Sequence, residues 1–227
     1  MDFRAPVPAP FIVAHRAGND LDALAAARGL RVPLIEADLH LFAGRVEVRH
    51  LKTVGPLPIL WDRWTLASPW APRLLLDALL EAAGPAELML DLKGRNAHLP
   101  VRVADAIADR DHAAPITVCA RRWTLLEPLD GLDGVRVVHS VGNARQLAAL
   151  RRRDEPLAGV SIHRRLLDPP TVRDLRERAD LVLSWPVDTA AQARQLAAWG
   201  VHGLITSRFA ELSRVLWRDA APAPVAA

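Results

Sequence analysis

The run LMLDLKGR (88–95) ends an apolar stretch with an acid and a base two positions apart. On a β-strand, Asp91 and Lys93 share a face. They form either an ion pair at a strand end or half of a metal and phosphate site. Earlier in the chain, PLIEADLHL sets Glu36, Asp38 and His40 on one face against Ile35, Ala37 and Leu39. FIVAHRA closes on His15-Arg16, with Gly18 and Asn19 just beyond, GRVEVRH closes on His50, and SWPVD carries Trp185. Three inward carboxylates cannot all stay ionised without a compensating charge, because a lone buried carboxylate is very costly. A hard divalent cation supplies that charge, and oxygen-only ligation suits Mg2+ or Ca2+ rather than Zn2+. Beside it, Arg16 and Lys93 would attract a phosphate, and two flanking histidines could exchange protons near neutral pH.

Each piece is weak alone, since either acid and any one histidine has an ordinary structural use. His98, His112 and His202 read as structural or exposed, whereas His139 and His163 end apolar runs and could reach a pocket. The argument lies in the order, with HR, ExD, H and DxK on successive elements.

Those elements follow a rhythm. Eight short apolar runs alternate with amphipathic, helix-like segments along the 227 residues. Near-continuous hydrophobicity in the runs fits parallel strands covered on both sides, and about eight strand–helix units predict a (β/α)8 barrel. A doubly wound open sheet is the competitor, but no glycine-rich dinucleotide fingerprint follows the first run. Asn143 and Asp168 read as helix N-caps, Gly84 and Gly200 as helix stops. The segment RWTLLEPL is expected to form one of the helices. We expect an N-terminal extension over 1–10, a single barrel domain over 11–218 and a disordered tail over 219–227. An excursion of some thirty residues after the second run, opening with GRVEVRH as a small extra strand, interrupts the pattern at the end where barrels place function.

Bulk properties exclude several classes. A net charge of +3 without a basic stripe argues against nucleic acid as a partner. The dense run LRRRDEP ends an amphipathic helix, where cations suit the macrodipole. One cysteine, Cys119, rules out an internal disulfide framework and reads as a buried thiol. No apolar run approaches the ~20 residues of a membrane span, so no stable membrane insertion is expected. Nothing in MDFRAPVPAPF reads as a secretory signal, which makes the cytoplasm the expected location.

Taken together, the order His15-Arg16, Gly18-Asn19, Glu36-x-Asp38-x-His40, His50, Asp91-x-Lys93 and a late SWPVD…WGVHGLITS resembles the glycerophosphodiester phosphodiesterase family over residues 11–212. That resemblance implies a (β/α)8 barrel with one divalent metal, Mg2+ or Ca2+, acting on a small phosphodiester. It implies His15 and His50 as catalytic histidines and Glu36, Asp38 and Asp91 as metal ligands. Arg16, Lys93, Trp185 and Asn19 would contact the substrate. The sequence departs from the family pattern in five places, one of them the reduction of the longer Pro-Glu-Asn-Thr loop to GND around Asn19. Ala17 follows His15-Arg16 where glycine is usual, Leu51 follows His50 where aspartate is common, Asp91 stands for a glutamate, and Ser207 replaces the aspartate of a final ITD. The Asp-x-Lys pair and the short excursion are also similar to the sphingomyelinase D-like phospholipases D, which would make a lysophospholipid the substrate. Those proteins are typically disulfide-bonded, and this chain has no cysteine pair. The remaining alternatives are an inactive phosphate-binding barrel and a barrel aldolase or isomerase with a covalent lysine.

Overall fold

The structure is a computed structural model that describes residues 10–54, 57–62, 65–67, 72–108 and 114–220. Its main sheet is built from β1 (Phe11–Ala14), β2 (Leu34–Phe42), β7 (Leu88–Leu92), β8 (Ile116–Ala120), β9 (Val135–Val141), β10 (Val160–His163), β11 (Val182–Trp185) and β12 (Gly203–Thr206). The order is β1-β12-β11-β10-β9-β8-β7-β2, and β2 returns to β1 through Val13↔Leu34 and Ala14↔Ile35. All these pairings are parallel. This is a closed (β/α)8 barrel, as the periodicity predicts.

Parity divides each strand between two cores. Phe11, Val13, Leu34, Met89, Cys119, Val138, Leu183 and Ile205 fill the barrel interior. Their neighbours Ile12, Ile35, Ala37, Leu90, Val118, Ile162 and Leu204 pack outward against the helices. Apolar burial on both faces explains why the runs show no polar alternation until their C-terminal ends.

The outer ring is α1 (Leu21–Gly29), α2 (Leu76–Ala83), α3 (His98–Ala108), α4 (Ala144–Arg151), α5 (Pro169–Arg178), α6 (Ala190–Trp199) and α7 (Phe209–Ala220). Asn143 accepts from the Gln146 N–H and Asp168 from the Thr171 N–H, as expected of N-caps, and Gly84 and Gly200 end α2 and α6. RWTLLEPL does not form a regular helix. It makes two short 3-10 turns, Trp123–Leu125 and Glu127–Leu129. Pro128 lacks the N–H that a continuing helix needs. The last helix reaches Ala220, past the point where the expected tail begins; residues 1–9 and 221–227 lie outside the described residues.

The excursion is more structured than expected. β3 (Arg45–Val48) pairs antiparallel with β2 from Leu39↔Val48 to Phe42↔Arg45. Beyond it, β4 (Lys52–Val54), β5 (Leu57–Asp62) and β6 (Thr65–Ala67) form a separate antiparallel sheet. Among the described residues no helix is long and apolar enough to cross a membrane.

Candidate active site

Inward parity carries polar side chains onto the barrel's C-terminal rim wherever the interior runs out of apolar residues. On β2, Glu36 and Asp38 follow Leu34. On β7, Asp91 follows Met89, and Lys93 continues the same parity just past the strand end. The register places Asp38 beside Asp91 and Asp91 beside Cys119 on adjacent strands. One carboxylate oxygen from each of Glu36, Asp38 and Asp91 lies within 4.8 Å of the others. These are the three acids expected from sequence to hold a metal.

Glu36 and Asp38 are buried, Asp91 is partly so, and their charges are unequal. Lys93 Nζ lies 2.8 Å from Asp38 Oδ1 and also bonds Asp91 Oδ2. Burial raises the Asp38 carboxyl, but Lys93, Asn19 and Arg16 outweigh it and hold the group below the usual range. Glu36 is pushed well up, first by burial and then by the charge of Asp38. Burial also raises Asp91, against the pull of Lys93. Burial would lower the Lys93 ammonium, yet Asp91, Asp38 and Glu36 together drive it up, so it stays charged. Asp91 Oδ1 is buried with no hydrogen bond reaching it. Three carboxylates around one lysine, with an orphaned oxygen among them, are under-supplied with positive charge. The donor set fits a hard divalent cation.

The turn after β1 braces this cluster. Arg16 adopts the left-handed region at φ 58°, a strained choice for a residue with a Cβ. The turn aims its N–H at Glu36 Oε2, 2.5 Å away, and brings its Nε within 3.6 Å of Asp38 Oδ2. Gly18 lets the turn press on β2, since a Cβ there would lie 2.7 Å from the Ala37 Cβ. Asn19, expected at the phosphate, is bonded twice to Asp38. It donates to Oδ2 and accepts from the Asp38 N–H, both at 2.8 Å. In the structure Asn19 orients an acid, and it is not among the residues lining the central cavity.

His15 and His50 both line that cavity, which encloses about 410 Å³. His15 Nδ1 lies 3.0 Å from Ser207 Oγ. The serine that departs from the family pattern is therefore the ring's partner, and it brings no charge. Burial and the nearby Arg16 lower the His15 pKa to about 4, so the imidazole is neutral at pH 7. His50 follows β3, and a buried ion pair fixes its approach. Arg49 Nε is 2.5 Å from Glu47 Oε2, Arg49 also donates to the Leu51 carbonyl, and its N–H donates to Asp38 O at 2.8 Å. The excursion's first strand is thus tied to the metal-side acids.

The other wall holds Arg121, Ser140 and Ser161, which sequence reasoning missed, and His163, which it left able to reach a pocket. Arg121, Ser140, Ser161 and His163 line the cavity together with Trp185. The His163 ring stands edge-on to Trp185 at 4.8 Å, and Arg121 lies 5.8 Å from the Trp185 ring centroid. Parity could have found them. Arg121 is two beyond the inward Cys119, Ser140 two beyond Val138, and His163 two beyond Ser161. The same rule removes His139, which faces outward and packs edge-on against Trp123 at 5.3 Å. His202 is structural, its Nδ1 accepting from the Val182 N–H. Cys119 is buried at the cavity wall next to Asp91, and burial keeps its thiol protonated.

No protein-family model matches the sequence, and no curated protein matches it either. Solved structures do share the fold. A phosphodiesterase from Oleispira antarctica, solved with the product sn-glycerol-3-phosphate, is 16% identical, with a TM-score of 0.74 over 91% of this chain and 96% of that one. A glycerophosphodiester phosphodiesterase from Parabacteroides distasonis is 18% identical, with a TM-score of 0.75 over 93% of this chain and 98% of that one. One from Thermotoga maritima is 16% identical, with a TM-score of 0.71 over 92% and 98%.

Proposed function

We propose that this chain is a metal-dependent phosphodiesterase that hydrolyses glycerophosphodiesters to an alcohol and glycerol 3-phosphate. One observation carries the reading. The cavity at the C-terminal end of the barrel is lined by two histidines, by Glu36 and Asp91 of a three-carboxylate cluster short of positive charge, and by the cations Arg16 and Lys93. The fold shared with glycerophosphodiester phosphodiesterases supports it, as does the product bound to the Oleispira protein.

Glu36, Asp38 and Asp91 would hold one divalent cation, Mg2+ or Ca2+, whose chemistry is to polarise a phosphoryl oxygen and lower the pKa of a nearby hydroxyl. Arg16 and Lys93 stabilise the negative charge that builds on the phosphate, and they do so from fixed positions. Lys93 serves as a charge rather than a nucleophile, because its acid partners keep it protonated. His15, neutral and oriented through Nδ1 by Ser207, removes a proton from the attacking glycerol hydroxyl. His50, the second histidine lining the cavity, protonates the departing alcohol. The first product is a cyclic phosphate, which water opens with the two histidines exchanging roles. Trp185 supplies an apolar face for the carbon skeleton.

The test is a panel of phosphodiesters and lysophospholipids incubated with Mg2+ or Ca2+ and read by phosphorus NMR. Release of glycerol 3-phosphate, with a transient cyclic species, is the expected outcome. Cleavage of lysophospholipids alone would move the protein to the phospholipase D-like reading. If nothing is cleaved with either metal, and EDTA alters neither melting nor activity, the proposal fails.

A further inference from the structure

Arg121 is a cation on the cavity wall. Among the described residues no carboxylate pairs with it, and its guanidinium lies over Trp185. Its place is nonetheless built. Gln146 Nε2 donates to the Arg121 carbonyl at 2.8 Å, and Gln146 Oε1 accepts from the Gly142 N–H at 2.9 Å. The loops that leave β8 and β9 are therefore clamped to each other. Gly142 leaves room for the guanidinium, since a Cβ there would stand 2.8 Å from the Arg121 Cζ. On the same wall are the hydroxyls of Ser140 and Ser161 and the ring of His163. Of the carboxylates lining the cavity, Glu36 is on β2, and Asp91, on the neighbouring β7, is already bonded to Lys93.

This chemistry has a preference. A quaternary ammonium needs an open aromatic face, and here Arg121 already takes up that position on Trp185. A second cation would also meet like charge, and the lining carboxylate on the adjacent strand, Asp91, is already neutralised by Lys93. Guanidinium N–H groups and serine hydroxyls seek oxygen instead. We propose that this wall receives the alcohol half of the substrate and selects a polyol head group, such as glycerol or inositol, over choline or ethanolamine. Arg121 is the specificity-determining residue, acting by attraction to hydroxyl oxygens and by repulsion of ammonium groups. The inference rests on the phosphodiesterase reading and adds to it the class of alcohol.

The experiment compares kcat/KM for glycerophosphoglycerol, glycerophosphoinositol and glycerophosphocholine in the wild type, Arg121→Gln and Arg121→Glu. Glycero-3-phospho-p-nitrophenol, which keeps the attacking glycerol hydroxyl, serves as a diester without a polar head group. The wild type should favour the polyol diesters. Arg121→Glu should move the polyol-to-choline ratio toward choline by about tenfold or more, mainly through KM, because reversing a charge at a recognition surface changes partner choice more than chemistry. Arg121→Gln should fall between and covers the case in which the charge reversal disturbs folding. A wild-type preference for choline overturns the inference, as does a ratio that stays constant across the variants while all three cleave the simple diester. Inactivity toward every diester, the simple one included, overturns the phosphodiesterase reading and this inference with it.

Discussion

The two walls of the cavity obey opposite rules. On the wall from β1, β2 and β7, charges are buried, crowded and mutually dependent. Asp38 touches Lys93, Asn19 and Arg16, and Glu36 holds a backbone N–H. On the wall from β8 to β11, one exposed cation lies over an aromatic ring and neutral hydroxyls complete the surface. The first arrangement fixes atoms in place, because any misplaced buried charge is costly. The second tolerates change, because solvent screens it. A substrate bridging them would meet chemistry on one side and selection on the other.

Substitutions can break that comparison, and the largest effects belong to the metal-side wall. His15→Ala and His50→Ala should each lower kcat by ~10²–10⁴-fold, the usual loss on removing a general acid or base, with melting little changed. Retained turnover in either variant, read on the preferred diester, would remove that histidine from the mechanism.

Next in size is Glu47→Gln, which strands Arg49 as a buried charge beside the strand that delivers His50. Side-chain exposure is 8% for both partners. Breaking such a pair costs about 3–5 kcal/mol, and urea unfolding should show it together with a lower kcat. A stability loss without a catalytic one would mean that the ion pair does not position His50.

Asp91→Asn tests the under-supplied cluster. In the wild type, added Mg2+ or Ca2+ should raise the melting temperature, since a ligand bound only by the folded state stabilises it. The variant should lose most of that rise and turn over slowly. An undiminished metal-dependent shift would place the cation elsewhere.

The smallest effect concerns pH. His15 titrates near 4 in the folded chain and near its ordinary 6.5 when unfolded. As pH falls from 6.5 toward 4, the unfolded state takes up a proton that the folded state refuses, so stability drops across that window. Ser207→Asp would put a carboxylate at Nδ1 and raise the folded pKa. The acid limb of kcat/KM should then move to higher pH, and stability below pH 6.5 should fall less steeply. An unmoved limb would show that Ser207 does not control His15.

Much of the metal-side wall was readable along the chain. Glu36-x-Asp38 and Asp91-x-Lys93 carry their own parity, and each interrupts an apolar run where a polar residue needs a reason. His163, read as able to reach a pocket, does line it, whereas Arg121 obeys the same parity but was hidden by its neighbours. Arg121 belongs to the run that holds Cys119 and precedes a second arginine, so nothing local distinguishes an inward cation from an outward one. His139 shows the converse error, since a histidine near a strand end can face either way. Asn19 was recognised as part of the site, but its double bond to Asp38 depends on how closely Gly18 lets one turn approach β2.

Sequence by itself determined the barrel, because eight apolar runs at helical intervals can bury both strand faces in few other ways. It also determined which acids, histidines and cations alternate onto a common side. The tertiary structure decided how those groups share charge. Only closure of β2 onto β1 and β7 brings three acids within reach of one ion and places Lys93 between two of them. Only the barrel's far rim sets Arg121 on Trp185, 64 residues away in the chain. Periodicity is local and survives in the linear order of residues. Electrostatic coupling falls with distance through space, and the linear order does not contain that distance.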